Sequence, residues 1–437
     1  MKMGSSKNHW VNWSGTQSCS PRQIVFPSTE KELLDHVRSA IKSKLKIKVV
    51  GSGHSFVGAA LTDGMLIDLS KYNQITNIDK QNKQVTVQVG KKLEHLNPEL
   101  WNHGLAMSVL GDIAYQSVAG ALSTGTHGTG TKFGCLASQV IAARVISGEG
   151  QIIDCSPSKD LDLFGTAVVG VGAAGILSTV TLQLEDAFNL HALEMSMDLD
   201  FVIDHQDGFI SDNEHFEYFF YPAQKATLTK RNNRTMEPGH SLSPIARWYS
   251  DEFIFGYLPK LTKGLKRPFP KLHKYLTPDF MWVARENYVD RSYSVFTSER
   301  KQYGSEMEYF IPTQHAKEAV QRILDFVKRS GLNLSMPIEL RWIAADNLPI
   351  SMCYGMETTS IAVHVEMREQ YENYFVPVET IMMDYGGRPH WGKMHFQTSR
   401  TLAPLYPKWD EFLNARRILD PKGIFENEYT KRVFGSI

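Results

Sequence analysis

The chain has 437 residues, which is too long for one ordinary hydrophobic core and predicts two domains or one large domain with an insertion. Its 47 basic and 47 acidic side chains give a formal net charge of +0, which argues against a nucleic-acid or anionic-membrane binder. Four cysteines without a CxxC pair argue against a disulfide framework or zinc knuckle and fit a reducing compartment. We interpret two basic runs, RNNR at 231–234 and KRPFPKLHK at 266–274, as solvated loops.

The first 186 residues alternate between predicted helices and strands. Ser28 or Thr29 caps a helix whose apolar residues recur every four positions, and Glu32 completes a capping box. The strand KIKVV then leads into the glycine loop GSGHSF at 51–56. Further predicted elements are strands at 65–70 and 83–90, a helix around 93–101, a second glycine-rich segment at 117–130 and a hairpin at 140–156.

The stretch from Leu163 to Leu184 carries no charge over 22 residues, which is the length of a membrane helix. Its four glycines lower helix propensity, and STVTLQL at its end alternates like a strand. We therefore predict a buried helix and turn followed by a buried strand. With no apolar segment of signal-peptide length at the N-terminus, the prediction is a cytoplasmic protein without a membrane span.

From about residue 187 the pattern changes to aromatic clusters and prolines. Runs at 305–312, 336–345 and 360–367 alternate like antiparallel strands that expose one face. The segment 312–331 predicts an amphipathic helix with a glycine stop. These changes predict a cofactor domain at 1–186, a substrate domain at 187–395 and a C-terminal return to the first domain at 396–437.

Three explanations compete for the loop Gly51–Phe56. A Rossmann site requires a third glycine where Phe56 stands, and a Walker loop requires G-K-[ST], which is absent. The third explanation is a tight turn with a hydrogen-bonded histidine. The second segment, SVAGALSTGTHGTG, adds four glycines and a histidine, and two such turns can direct several backbone N–H groups at one pyrophosphate. A neutral His54 beside the cofactor's ring would be a nucleophile able to bond to it.

Together with RPHWGKMHF at 388–396, these two segments resemble the vanillyl-alcohol-oxidase-type FAD enzymes. Within that group the chain is similar to the aldonolactone oxidoreductases and the related alditol oxidases, over nearly its whole length and including the tail LDPKGIFENEY at 419–429. The resemblance implies a two-domain α+β fold: an FAD-binding domain at 1–186, an α+β cap domain built on an antiparallel sheet at 187–395, and the return at 396–437.

The resemblance also implies FAD attached covalently through His54 to the flavin's 8α-methyl carbon. In the same loop, Gly51, Ser52, Gly53 and Ser55 offer donors to the pyrophosphate. His127 fits both a cofactor contact and a role that only braces its loop. The further expected cofactor contacts are Gly111, Ser117, Gly120, Gly125, Thr126, His127, Gly128, Ile176 and His390.

Three side chains are the candidate catalytic residues. Glu339 and Arg341 stand two apart on a predicted strand and so project from one face. The resemblance places this pair in the active site, where Glu339 would accept a hydrogen bond or proton from the substrate hydroxyl and Arg341 would hold substrate oxygens and the reduced flavin. Lys393 would act as a base or as a fixed positive charge. His390 and His395 lack a carboxylate at ligand spacing, so we predict no metal site.

Two positions give information about the electron acceptor and the substrate. Gly111 matches a place near the flavin's oxygen-reacting face, where a glycine leaves room for dioxygen. Asp112 replaces a serine that contacts the substrate in alditol oxidases, which favours a lactone. The leading hypothesis is oxidation of an aldonolactone with dioxygen as acceptor, giving hydrogen peroxide. The alternatives are an alditol or sugar substrate, a dehydrogenase that uses a quinone or cytochrome, and a flavin-holding scaffold without turnover.

Overall fold

The computed structural model describes residues 8–222, 224–243, 285–298, 304–332, 334, 336–366 and 370–437. The basic run at 266–274 lies outside these ranges. Within them the fold is α+β, with a small parallel sheet and two larger antiparallel sheets, which confirms the predicted fold class.

The N-terminal part holds a three-stranded parallel sheet in the order β3-β5-β4 and a five-stranded antiparallel sheet in the order β10-β9-β11-β7-β6. Its strands are β1 (Trp10–Val11), β2 (Ser18–Cys19), β3 (Gln23–Val25), β4 (Ile47–Val50), β5 (Met65–Asp68), β6 (Ile75–Asp79), β7 (Gln84–Gln88), β8 (Leu105–Ala106), β9 (Val140–Ile146), β10 (Ile152–Cys155) and β11 (Ile176–Gln183). Its helices are α1 (Glu30–Lys42), α2 (Leu93–Asn102), α3 (Val118–Ser123) and α4 (Leu161–Val168).

Local signals in this part predicted the elements well. Thr29 caps α1 by accepting a hydrogen bond from the Glu32 backbone N–H, while the Glu32 carboxylate reaches back one residue further than predicted, to Ser28. The hairpin at 140–156 is present as β9 and β10. The uncharged stretch forms α4, a turn and β11, as predicted, and no helix among the described residues is long and apolar enough to cross a membrane.

The middle of the chain builds an eight-stranded antiparallel sheet in the order β16-β13-β15-β14-β18-β19-β17-β20, while β12 pairs with β8. The strands are β12 (Glu185–Asp186), β13 (Asn189–Asp198), β14 (His215–Phe220), β15 (Ala226–Thr235), β16 (Arg285–Arg291), β17 (Gly304–Pro312), β18 (Ile338–Ile343), β19 (Thr358–Glu366) and β20 (Arg388–Pro389). The helices are α5 (Leu199–Asp212), α6 (Ser292–Phe296), α7 (Ala316–Ser330) and α8 (Glu372–Met383).

Two expectations for this sheet are wrong. Strands β17, β18 and β19, which contain the three runs predicted to expose one face, are buried along almost their whole length, because α5, α7 and α8 pack on one face of the sheet and the opposite face lines a cavity. The basic run 231–234 is not a solvated loop, since it lies inside β15. There Arg234 forms ion pairs with Glu185 and Glu214, which neutralise the charge that suggested a loop.

The C-terminal helices are α9 (Ser399–Leu402), α10 (Trp409–Leu419) and α11 (Glu428–Phe434). Their apolar residues, including Leu402, Phe412 and Val433, join the hydrophobic core formed by residues 33–184. The tail also bonds directly to the start of β4, where the Ile47 N–H donates to the Ile424 carbonyl over 2.8 Å. The domain boundaries at 186 and 395 stay predictions.

Candidate active site

A cavity of about 480 Å³ runs between the N-terminal part and the eight-stranded sheet. Loop 51–56, segment 111–127 and the polar face of the sheet all contribute to its lining. Burial between two layers of structure, with a few polar groups directed inward, is typical of small-molecule sites. The three candidate catalytic residues therefore share one cavity with His54 and both glycine-rich segments.

The first glycine loop begins where β4 ends, and it touches the second loop directly. Gly53 has a φ of +66°, a conformation that side chains other than glycine's rarely adopt. Gly51 lies against Ser117, so that a Cβ added to Gly51 would overlap the Ser117 hydroxyl. Ser117 is itself held in place, because it caps α3 by accepting a hydrogen bond from the Gly120 N–H. The two loops thus form one continuous wall of the cavity.

Replacing Gly51 by alanine is expected to lower the free energy of unfolding by about 1–3 kcal/mol, because the new methyl group overpacks the contact between the loops. Gly208 offers a matched control: it lies within α5, a Cβ there meets nothing within 4 Å, and alanine at that position should stabilise the helix by up to about 1 kcal/mol. Urea unfolding of both variants measures the difference. Equal stability of G51A and wild type would contradict the packing between the two loops.

Two of the predicted contact glycines shape the second loop and do not line the cavity. Gly125 has a φ of +72° and packs against Met352, whose Cε would lie 2.7 Å from an added Cβ. Gly128 packs on the Leu110 carbonyl just as closely. Ser117, Gly120, Thr126, His127 and Ile176 do line the cavity, as does His390.

The cavity wall presents unused polar groups that fit a bound dinucleotide. The hydroxyls of Ser52 and Thr126 are buried, and neither has a hydrogen-bond partner within the described part of the chain. Buried hydroxyls normally find a partner, so these two mark places where a ligand's oxygen atoms fit. The close approach of Gly51 to Ser117 adds a surface on which backbone groups can meet a phosphate without intervening side chains.

The His54 ring stacks on two aromatic rings. Its centroid is 5.0 Å from that of Trp13 and 6.2 Å from that of Tyr115. Burial, with the nearby charges of Lys92 and Lys393, lowers the pKa of His54 to about 4. The imidazole is therefore neutral near pH 7, which is its nucleophilic form, and its ring is held at a fixed orientation on the cavity wall.

His127 is part of a buried hydrogen-bonded group. Its Nδ1 lies 2.8 Å from the Gly128 carbonyl and its Nε2 lies 2.9 Å from Glu308 Oε1. Burial alone would raise the pKa of Glu308, but the charge of His127 and its hydrogen bond hold that pKa well below its usual range. The geometry therefore favours an ionised Glu308 held by the His127 ring, a contact that both braces the loop and puts negative charge at the cavity wall.

His390 completes this group and stays neutral, since burial lowers its pKa to about 4. Its Nδ1 accepts a hydrogen bond from the Gly392 N–H, so the neutral ring carries its proton on Nε2. Ligand-type atoms of His127, Glu308 and His390 lie within 4.8 Å of one another, as do those of Asp112, Glu217 and Glu339. The sequence showed no carboxylate at ligand spacing from His390, but the structure places Glu308 of β17 beside it. In the first group, His390 Nδ1 already accepts a hydrogen bond from a backbone N–H. In the second group, Arg341 already supplies the positive charge that a metal ion would bring. Both arrangements favour hydrogen bonds and ion pairs over a bound metal ion.

Glu339 and Arg341 project from the same face of β18, as predicted, but Arg341 has more partners than expected. It pairs with Glu339, with Asp112 at 2.7 Å between Nη2 and Oδ1, and with Glu217 at 2.7 Å between Nε and Oε2. Burial alone would lower the pKa of Arg341, but the surrounding carboxylates raise it well above its usual value. Arg341 is therefore a permanent cation that holds three carboxylates.

Lys393 lines the cavity and pairs with Glu306 of β17. Its Nζ also lies 5.3 Å from the centre of the Phe56 ring, which links it to the first glycine loop. An adjacent carboxylate favours the charged form of an ammonium group. This contact favours Lys393 as a fixed positive charge over Lys393 as a base.

Gly111 lines the cavity. We predicted that a glycine here leaves room for dioxygen, but the structure gives a different reason for the missing side chain. A Cβ at this position would lie 2.8 Å from the His127 carbonyl oxygen and 3.3 Å from the Thr126 methyl. The glycine is therefore needed for the close packing of segment 111–112 on the second loop. The space in the direction of its absent Cβ is already filled by backbone and is no opening for dioxygen.

Three acidic residues of the site were missed by sequence reasoning: Glu217, Glu306 and Glu308. Glu306 and Glu308 alternate on β17 as Glu339 and Arg341 do on β18, so the same spacing signal was present in SEMEYF. Glu217 gave no such signal, because it is a single charge in the aromatic strand HFEYFF.

Comparisons with known proteins agree with this architecture. Residues 180–433 match the family model described as D-arabinono-1,4-lactone oxidase, and residues 21–156 match an FAD binding domain. The chain is 38% identical to L-gulono-1,4-lactone dehydrogenase of Mycobacterium tuberculosis over 98% of this chain and 99% of that protein. It is 32% identical to L-gulonolactone oxidase of Mus musculus over 97% of each.

Among solved structures, cholesterol oxidase from B. sterolicum superimposes with a TM-score of 0.80 at 16% identity, covering 98% of this chain and 96% of that one, a likeness of fold. With a family model that matches more than half of its length and relatives similar from end to end, the chain belongs to the D-arabinono-1,4-lactone oxidase family of FAD-dependent oxidoreductases.

Proposed function

We propose that this protein oxidises a hydroxyl group of an aldono-1,4-lactone, with FAD bound in the cavity and attached through His54. The observation that supports this most is the meeting of Glu339, Arg341 and Lys393 with His54 and both glycine loops at one cavity. The relatives' names point to the same substrate class, since they are lactone oxidases and dehydrogenases.

When bound, FAD supplies an acceptor for the hydride from the carbon that carries the hydroxyl. The two loops would hold its pyrophosphate, with Ser52 and Thr126 as hydroxyl partners. A neutral His54, stacked on Trp13, supports attachment at that residue.

Glu339 is the residue we assign as proton acceptor for the substrate hydroxyl. It lines the cavity while Arg341 holds its carboxylate, and the ion pair with Glu306 keeps Lys393 charged. Lys393 and Arg341 would then stabilise negative charge that develops on substrate and cofactor. Asp112 and Glu339 add acceptor oxygens that suit a neutral polyhydroxyl ligand.

Dioxygen is our proposed electron acceptor, with hydrogen peroxide as product. The name of the Mycobacterium tuberculosis relative favours a second candidate, a dehydrogenase. Such an enzyme would pass its electrons to a quinone or cytochrome. Because the absent side chain of Gly111 leaves no open space, that residue does not argue for dioxygen.

An anaerobic titration tests the substrate class. Purified holoprotein is expected to lose its yellow colour with gulono-, galactono- or arabinono-1,4-lactone and to keep it with xylitol and sorbitol. Admitting air should restore the colour within seconds and form hydrogen peroxide in equal amount. Bleaching by the alditols alone would overturn the lactone proposal, while reoxidation over many minutes would favour the dehydrogenase.

A further inference from the structure

The hairpin of β1 and β2 lies against the first glycine loop. Two hydrogen bonds close its turn at residues 12–17: the Asn12 N–H donates to the Gln17 carbonyl, and the Gln17 N–H donates to the Asn12 side-chain oxygen, each over 2.9 Å. Both strands end before residue 21, where the match to an FAD binding domain begins. That match therefore gives the hairpin no role, although both tryptophans of its sequence WVNWSG line the cavity.

The turn of this hairpin holds the backbone on both sides of His54. The Trp13 N–H donates to the Gly53 carbonyl over 2.9 Å. The Asn12 side-chain amide donates to the Ser55 carbonyl, also over 2.9 Å, and Asn12 is only 5% exposed. A hydrogen bond that is shielded from water is stronger than one in solvent. The turn therefore fixes the backbone at the position from which the imidazole projects.

Aromatic contacts position the His54 ring itself. Within the described part of the chain, neither of its ring nitrogens has a hydrogen-bond partner. A histidine usually takes its orientation from the hydrogen bond that one of its nitrogens makes. Here the Trp13 indole orients the ring instead, with centroids 5.0 Å apart and planes 24° apart, and Tyr115 is a second stacked ring at 6.2 Å. This arrangement orients the imidazole and leaves its nitrogens for a bond to a cofactor.

The covalent attachment to FAD depends on that orientation. In the overall reaction, an imidazole N–H bond and a C–H bond of the flavin's 8α-methyl group break and one N–C bond forms. The two hydrogen atoms leave as two protons and two electrons, which dioxygen takes up to form hydrogen peroxide. Because a misplacement of about 1 Å can slow a reaction between held groups by about 10²-fold, the rate depends on what fixes the ring.

We propose that Trp13 is a positioning residue for the attachment of FAD, and that the hairpin of β1 and β2 serves to hold it against His54. Its backbone N–H fixes the loop and its indole orients the imidazole, so that one residue sets both the place and the tilt of the nucleophile. This inference rests on the proposed attachment at His54 and adds the residue that directs it.

The rate of attachment tests this role. Full-length protein produced without riboflavin is mixed with saturating FAD in air, and the flavin that stays with acid-precipitated protein is followed over time. Trp13→Leu keeps the backbone hydrogen bond and loses the stacked ring, so attachment is expected to slow at least about tenfold while FAD still binds. Trp13→Phe restores an aromatic ring and should bring the rate to within about threefold of wild type.

Trp101→Leu is the matched control, because Trp101 is a half-buried residue of α2 that does not line the cavity. It should attach FAD as fast as wild type. If the flavin-free protein precipitates, the attached share of the flavin in freshly purified holoprotein gives the same comparison.

Attachment by W13L at the wild-type rate would overturn the positioning role. Equally slow attachment in W13L and W13F would overturn it too, since the aromatic ring would then not be the feature that matters, and so would equal slowing in W101L. A wild-type protein that binds FAD and never attaches it would overturn the proposed bond at His54 and this inference with it, whereas the lactone chemistry would still be decided by the bleaching test.

Discussion

The Glu339→Gln variant is expected to reduce its flavin with a lactone about 10²- to 10⁴-fold more slowly than wild type, the range that a positioned proton acceptor contributes. Glutamine keeps the size of the side chain and its contact with Arg341, but it cannot take the hydroxyl proton. Stopped-flow bleaching under anaerobic conditions measures the effect. Because the two glycine loops, and not β18, are the proposed site of the pyrophosphate, flavin content should stay the same.

Glu149→Gln provides the control, because Glu149 is exposed in the turn between β9 and β10, far from the cavity lining. It should bleach as fast as wild type. A rate for E339Q within threefold of wild type would show that another group takes the proton. Lys393→Met, which removes the only other candidate that we considered, would then be expected to abolish bleaching.

The His54→Ala variant is expected to show no flavin fluorescence in its band on a denaturing gel, whereas the wild-type band fluoresces. The reason is chemical, since the His54 imidazole is a nucleophile that burial keeps neutral and that stacks on Trp13 at the cavity wall. In the native state the two loops should still bind FAD, which denaturation then releases.

His95→Ala is the matched control for this experiment, since His95 is exposed on α2. Its band should fluoresce like wild type. Fluorescence that persists in H54A would place the attachment elsewhere, and a dark wild-type band would show that FAD is held without a covalent bond. In either result the cavity remains the cofactor site and only the proposed link is lost.

Local sequence signals were sufficient for most individual elements. The cap at Thr29, the apolar period of α1, the Gly331 stop after α7 and the hairpin of β9 and β10 each depend on residues a few positions apart. Spacing of two on β18 was enough to put Glu339 and Arg341 on one face. The glycine motifs, with the family resemblance, predicted the cofactor segments, and both segments lie within residues 21–156, which match an FAD binding domain.

What surrounds each charged side chain was decided only by the tertiary structure. Glu217 and Asp112 lie 124 and 229 positions before Arg341, since 341 − 217 = 124 and 341 − 112 = 229, yet all three meet. The partner of His127 likewise comes from β17. The sequences of β14 and β18 show which residues share a face of the sheet. They do not show that the N-terminal part of the chain covers the polar face.

The sequence by itself thus determined the elements, because these follow from backbone conformation and periodicity along a short stretch of chain. The fold class and the expected role of the glycine loops with His54 came from the family resemblance that their motifs carry. The pairing of charges and the reason for Gly111 depended on the tertiary structure. The strength of an interaction between two charges and the close packing of two backbone segments both depend on distances in space. The order of the strands and the packing of the layers set those distances.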